Sequence, residues 1–218
     1  MNNLDAIAEA IRAEWEQMDE QRDAALKKSR DLIRHCADMI RAVHRHQWEA
    51  VAERLAATRA AAADLRQAVA GYPALEYAGY TQDAFREYVE AVITYALVRG
   101  DDQLPTPEAL GVLPDTYLNG LAEAASELRR HILDLLREAH NQEVERLLAA
   151  MDTSYTVLFS FDFPDAVTDA RRRDAQPASG PPDRSPAPGR AAPGSGGVAW
   201  PAQRRDGVQN SWVHRARF

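Results

Sequence analysis

Four glutamates with the spacing of metal-binding acids lie in two segments of helical pattern. Glu87 and Glu90 are three residues apart, and Glu123 and Glu127 are four apart. On an α-helix, both spacings place the members of a pair on one face. If the two helices pack face to face, four carboxylates converge, and such a cluster needs protons or a cation. Oxygen ligands favour Mg2+ or Mn2+, and either ion beside a phosphate supports phosphodiester hydrolysis.

A solvated helix face is the alternative interpretation, because glutamates at these spacings also arise by chance. The surrounding sequence favours a site, since both pairs interrupt apolar runs. Acids on a solvated face usually have Lys or Arg four residues later. The residues four positions after Glu87, Glu90 and Glu123 are Ala91, Thr94 and Glu127.

Two motifs in these segments resemble the translin superfamily, and within it translin-associated factor X and its prokaryotic relatives. The run Glu-Tyr-Val-Glu-Ala at 87–91 matches the pattern of that catalytic partner. The run Tyr-Leu-x-Gly-x-Ala-(acid)-x-x-x-Glu-Leu at 117–128 matches its second signature. The resemblance covers about residues 15–170. It implies an all-helical subunit, an oligomeric shell and Mg2+-dependent endoribonuclease activity on single-stranded RNA.

The resemblance also implies roles for the four acids. Glu90, Glu127 and Glu123 would be metal ligands, and Glu87 would complete the catalytic set. The family usually has Asp at the position of Glu123, and the extra methylene moves the carboxylate by about 1.5 Å. Whether Glu123 ligates directly is therefore left open. The resemblance further implies a homo-oligomer, commonly of eight subunits, or a hetero-oligomer with a translin-like subunit.

A basic stripe runs along the first predicted helix and offers a local surface for nucleic acid. Its members fall within an arc of about 60° at 100° per residue. They are Lys27, Arg30, Arg34, Arg41 and Arg45. The net charge is −7, so any contact with RNA phosphates must be local. A solvated amphipathic face is the alternative. The elements Ser29-Arg30-Asp31 and His44-Arg45 resemble the N-terminal helix of the family, which favours RNA, with single-stranded DNA as a second ligand.

The histidines show no metal-binding spacing in the sequence. His35, His44 and His46 are interpreted as surface or RNA-facing residues rather than zinc ligands. His131 follows Glu127 by one turn and is either a general acid or base or, as we favour, a helix histidine with its hydrogen bonds satisfied. Arg129 and Arg130 either complement the helix dipole or reach phosphate near the acids.

Periodicity predicts an all-α bundle of six or seven helices with short links. The predicted long helices span 2–46, 47–70, 81–98, 115–138 and 140–159, with a loop at 72–80 and a helical turn at 106–111. Asp115 is predicted to cap the fourth long helix. A last helix is predicted from Asp165.

Composition changes abruptly near the C-terminus. Residues 176–218 hold seven of the twelve prolines and six of the eleven glycines. We expect a helical domain at 1–175 and a disordered tail at 176–218. The tail is either a native basic extension or, as we favour, the out-of-frame end of a reading frame. The single cysteine and the absence of a signal-peptide pattern favour a cytoplasmic protein without membrane contact.

Three functions remain open from the sequence. The first is the metal-dependent endoribonuclease. The second is a non-catalytic oligomer that binds single-stranded RNA or DNA, as translin does. The third is a scaffold whose acids form salt bridges between subunits.

Overall fold

The computed structural model describes residues 3–137 and 140–161, which fold into an all-α bundle. The predicted helix from Asp165, the boundary at 175 and the tail at 176–218 lie outside these residues. The described helices are α1 (Leu4–His44), α2 (Trp48–Val69), α3 (Pro73–Glu76), α4 (Gly79–Arg99), α5 (Pro107–Leu110), α6 (Pro114–Leu136) and α7 (Gln142–Ser160). None of them combines the length and apolar character that a membrane crossing requires. The predicted fold class is confirmed.

The central helix is α4, which packs against both α1 and α6. Its buried residues lie on several faces, as expected for a helix enclosed by neighbours. They include Phe85, Tyr88, Val89, Val92 and Ile93. Because α2 packs on α1 and α7 packs on α6, polar residues of α4 that point toward α1 or α6 are held inside the bundle.

Local signals set the ends of α4. Gly100 adopts the left-handed conformation with φ 84°, and its N–H bonds to the carbonyls of Ala96 and Leu97, as at many helix C-termini. Arg146 of α7 donates to the carbonyl oxygens of Leu97 and Val98 at 2.7 and 2.8 Å. These contacts satisfy carbonyl groups that have no partner within the helix.

Three details of the predicted elements are corrected. A short helix, α3, interrupts the predicted loop at 72–80, and α4 begins at Gly79, two residues earlier than predicted. Asp115 is not the cap of α6, because Pro114 is already helical and Leu113 holds the N-cap position in extended conformation. Proline suits the first helical position because its missing N–H would have no partner there.

The first turns of α1 are exposed. Every residue from Asn3 to Gln17 is exposed, so an apolar stripe on this segment has little cover from the described helices. Its members are Leu4, Ile7, Ile11 and Trp15, the last 73% exposed.

Candidate metal centre

A close approach of α4 and α6 positions the acidic residues. A Cβ atom added to Gly120 would lie 2.6 Å from Val89 Cβ and 2.8 Å from the carbonyl oxygen of Arg86. Real Cβ atoms essentially never come so close, so the backbones can meet here only because residue 120 is glycine. Glu87 and Glu90 flank this crossing on α4, and Glu123 follows it by three residues on α6.

Three of the four predicted acids converge at the crossing. Glu87, Glu90 and Glu123 each offer a carboxylate oxygen, and these oxygens all lie within 4.8 Å of one another. All three side chains are half-buried. We call them the acidic trio. Glu127 lies one turn further along α6 and does not join this group; its Oε1 is 3.4 Å from His44 Nε2.

Arg86 is a member of this site that sequence reasoning missed. Its Nε donates to Glu123 Oε2 at 2.9 Å, and its guanidinium also pairs with Asp83 at 2.8 Å and Glu87 at 3.5 Å. Burial lowers the pKa of Arg86, but the carboxylates of Glu123, Asp83 and Glu87 more than offset this and raise it. Its signal in the sequence is its position three residues after Asp83 and directly before Glu87.

The trio carries more negative charge than its surroundings balance. Burial raises the pKa of Glu90 to about 8, the charges of Glu87, Glu123 and Glu127 add to the rise, and Arg86 opposes it. Cys36 of α1 also lies near the trio. Burial, and then the charges of Glu87 and Glu90, raise the pKa of its thiol. The neutral thiol therefore offers no counter-charge.

The trio fits a hard divalent cation. Its donors are carboxylate oxygens only, which Mg2+ and Mn2+ prefer. A buried carboxyl with a raised pKa is also expected where a compensating charge is missing. Glu87, Glu90 and Glu123 would hold such an ion, and Glu127 lies one turn away. Which acids ligate stays a prediction.

Histidines beside Glu127 differ from the sequence interpretation. His44 is not a surface residue, because its side chain is 17% exposed and its ring stacks on His131 at 4.7 Å between centroids. His131 is 2% exposed, and its Nε2 has no hydrogen-bond partner among the described residues. The expectation of a satisfied helix histidine is therefore wrong. His46 is exposed and His35 half-buried.

The basic stripe is exposed along its whole length. All five predicted side chains (Lys27, Arg30, Arg34, Arg41 and Arg45) are exposed on α1 or just after it. Two of them are partly neutralised, since Arg34 pairs with Asp31 at 2.9 Å and Arg41 pairs with Asp38. At 100° per residue the stripe lies roughly 120–180° around α1 from Cys36. It therefore faces away from the acidic trio of its own chain.

Comparisons with known proteins give the family. No family model matches the chain. An uncharacterized protein of Methanocaldococcus jannaschii is 31% identical over 157 residues, which cover 71% of this chain and 69% of that protein. The solved structure of AfC3PO, a protein of the translin type, matches with a TM-score of 0.66 and 28% identity, covering 76% of this chain and 86% of the other.

The chain belongs to the translin superfamily. The complex of AfC3PO with duplex RNA matches with a TM-score of 0.63, again at 28% identity and with the same coverage of both chains. Apo-NeC3PO shares the fold, with a TM-score of 0.68 at 18% identity over 76% of this chain and 87% of the other. Both translin-like motifs of this chain lie where α4 and α6 cross.

Proposed function

We propose that this translin-superfamily chain is a Mg2+-dependent endoribonuclease that acts on single-stranded RNA. The convergence of Glu87, Glu90 and Glu123 within 4.8 Å carries the proposal. A similar structure, AfC3PO, forms a complex with duplex RNA, which supports RNA as the class of ligand without bearing on its strandedness. The proposal thus assigns this chain to the catalytic rather than the purely binding type of subunit.

The residues around the trio have complementary tasks. A divalent cation bound here would neutralise phosphate charge and make a water molecule more acidic. Glu127 would accept a proton from the attacking water, and burial raises its pKa toward the range useful for a base. Arg86 fixes the orientation of Glu123 by its 2.9 Å hydrogen bond. Arg130, exposed and 3.7 Å from Glu127, is available to phosphate.

RNA is expected to contact two separate surfaces. Arg130 lies beside the acids, whereas Lys27, Arg30 and Arg45 belong to the stripe on the far side of α1. A strand that touches both must cross α1 or pass between neighbouring copies. The second route agrees with an oligomer, and the exposed apolar residues Ile11 and Trp15 support self-association of the chain. A translin-like partner subunit is the alternative occupant of that surface.

A non-catalytic RNA-binding oligomer is the second candidate. Arg86 favours it, because this one guanidinium already pairs with Glu123, Glu87 and Asp83. Because the positive charge of Arg86 already offsets part of the negative charge of these carboxylates, they need a metal cation less. In that case the acids would serve helix packing and the stripe alone would serve RNA.

A cleavage assay separates the two candidates. Protein sized by light scattering is incubated with fluorescent single-stranded or duplex RNA in Mg2+, with and without EDTA. We expect cleavage of the single strand that EDTA abolishes and that Glu90→Gln reduces at least a hundredfold with RNA binding retained. Glu53→Gln, an exposed acid on α2, is the matched control. RNA binding without cleavage by the wild type would support the second candidate.

A further inference from the structure

A second group of side chains that could bind a metal ion lies near the C-terminus of α1. His46 follows the C-terminus of α1, His131 belongs to α6, and Glu143 to the first turn of α7. One ligand atom from each lies within 4.8 Å of the other two. The three residues come from distant parts of the chain, so their association could not be seen as a spacing in the sequence.

The buried imidazole of this group is short of hydrogen bonds. His131 is 2% exposed, and its Nε2 has no hydrogen-bond partner among the described residues. His44, whose ring stacks on His131, has its Nε2 3.4 Å from Glu127 Oε1 instead. A buried polar atom without a partner costs free energy and calls for an explanation. An ion held by these side chains would provide one.

We propose that His46, His131 and Glu143 bind a divalent transition-metal ion of the Zn2+ class. Two imidazoles and one carboxylate form a donor set that suits zinc, with a fourth position left to water. Bonds of about 2.1 Å hold tetrahedral ligands about 3.4 Å apart, and the three ligand atoms already lie within 4.8 Å of one another. His46 is exposed and its ring lies edge-on against Trp48, 5.3 Å between centroids, so the site is open to solvent.

This site differs in chemistry from the acidic trio. Nitrogen donors select borderline ions such as Zn2+, whereas the carboxylate oxygens of the trio select Mg2+ or Mn2+. The ion would fasten the turn after α1 to α6 and α7, so it would stabilise the folded chain by mass action. His44 contacts both His131 and Glu127, and Glu127 lies one turn of α6 from the trio.

Zinc titration of the full, tag-free chain in excess Mg2+ tests the proposal, with calorimetry and thermal melting as readouts. We expect one Zn2+ per chain and a higher melting temperature. Affinity should fall at least tenfold in both His46→Ala and Glu143→Gln. His35→Ala, a half-buried histidine of α1 outside the group, is the matched control and should bind normally. Co2+ bound by the wild type should show the visible absorption of tetrahedral coordination.

Glu90→Gln separates this proposal from the ribonuclease. It should leave zinc binding unchanged while it removes cleavage, so either proposal can fail alone. The zinc site is overturned if no Zn2+ binds, if His46→Ala and Glu143→Gln both bind like the wild type, or if Glu90→Gln removes the binding instead.

Discussion

Gly120 of α6 and Val89 of α4 meet so closely that a Cβ atom on residue 120 would lie 2.6 Å from Val89 Cβ. This contact sets the distance between the helices that carry the acidic trio. Close packing of α4 on α6 therefore explains why the second translin-like motif has glycine at this position. Its absent side chain is what lets Glu123 approach Glu87 and Glu90.

Gly120→Ala should push α4 and α6 apart. We expect a loss of about 1–3 kcal/mol in the free energy of unfolding, typical of overpacked cores, and a loss of Mg2+-dependent cleavage that exceeds the unfolded fraction. Chemical denaturation and the RNA assay measure the two effects. Gly79→Ala is the control, because nothing lies within 4 Å of a Cβ there. Wild-type cleavage by folded Gly120→Ala protein would contradict this role.

In the metal-free protein, the contribution of Glu90 to stability should fall as pH rises from about 4.5 to 8, whereas the lowered pKa of His131 contributes a rise in stability below about pH 6.5. The folded pKa of Glu90 is raised from 4.5 to about 8, so over this range the folded state holds a proton that the unfolded state has lost. Unfolding releases this proton and therefore becomes more favourable as pH rises. Over the whole range the free energy of unfolding falls by an amount on the order of a few kcal/mol. Urea denaturation across this range measures the slope. Glu90→Gln and saturating Mg2+ should each remove the Glu90 contribution from the slope, and an unchanged slope in Glu90→Gln would refute the assignment.

Arg86→Gln should destabilise the metal-free protein more than the Mg2+-loaded one. The substitution removes the cation that pairs with Glu123 and Glu87, at an expected cost of about 1–3 kcal/mol without metal. A bound ion would replace much of that charge. Thermal melting with and without Mg2+ gives the comparison. Equal losses under both conditions would mean that Arg86 and the ion do not act on the same carboxylates.

Arg30→Glu should weaken RNA binding several-fold. It should also reduce the number of counterions released on binding by about one or more, which makes the affinity less dependent on salt concentration. Arg30 is exposed and forms no ion pair within the described part of the chain. Fluorescence anisotropy at several salt concentrations measures both quantities. Arg22→Glu makes the same charge change on α1 outside the stripe and should have a smaller effect. Equal effects of the two variants would indicate a diffuse charge effect instead of a defined surface.

The helices and the site differ in how far the sequence predicts them. Apolar periodicity gave α1, α2, α4, α6 and α7, because each buries one or more faces in a continuous core. Spacing placed Glu123 and Glu127 on one face of α6, yet only Glu123 joins Glu87 and Glu90. Two crossing helices contact over a limited length, and sequence spacing does not contain the crossing point. Gly120 marks that point only once its neighbour Val89 is known.

Contacts between side chains from different parts of the chain could not be predicted from the sequence. One such group consists of His46 in a turn, His131 on α6 and Glu143 on α7. Their spacing in the sequence does not predict that they lie together. The ion pair between Arg86 and Glu123 likewise needs the packing of α4 on α6. By contrast, the N-cap of α5 was predictable, since Thr106 accepts a hydrogen bond from Ala109 N at 3.2 Å within one turn.

The most direct test of the central claim is an anomalous difference map from crystals of the full chain soaked in Mn2+. We predict one strong peak bounded by the carboxylates of Glu87, Glu90 and Glu123, absent in Glu90→Gln crystals treated in the same way. No peak at that position under saturating Mn2+, with Arg86 still paired to Glu123, would contradict the account.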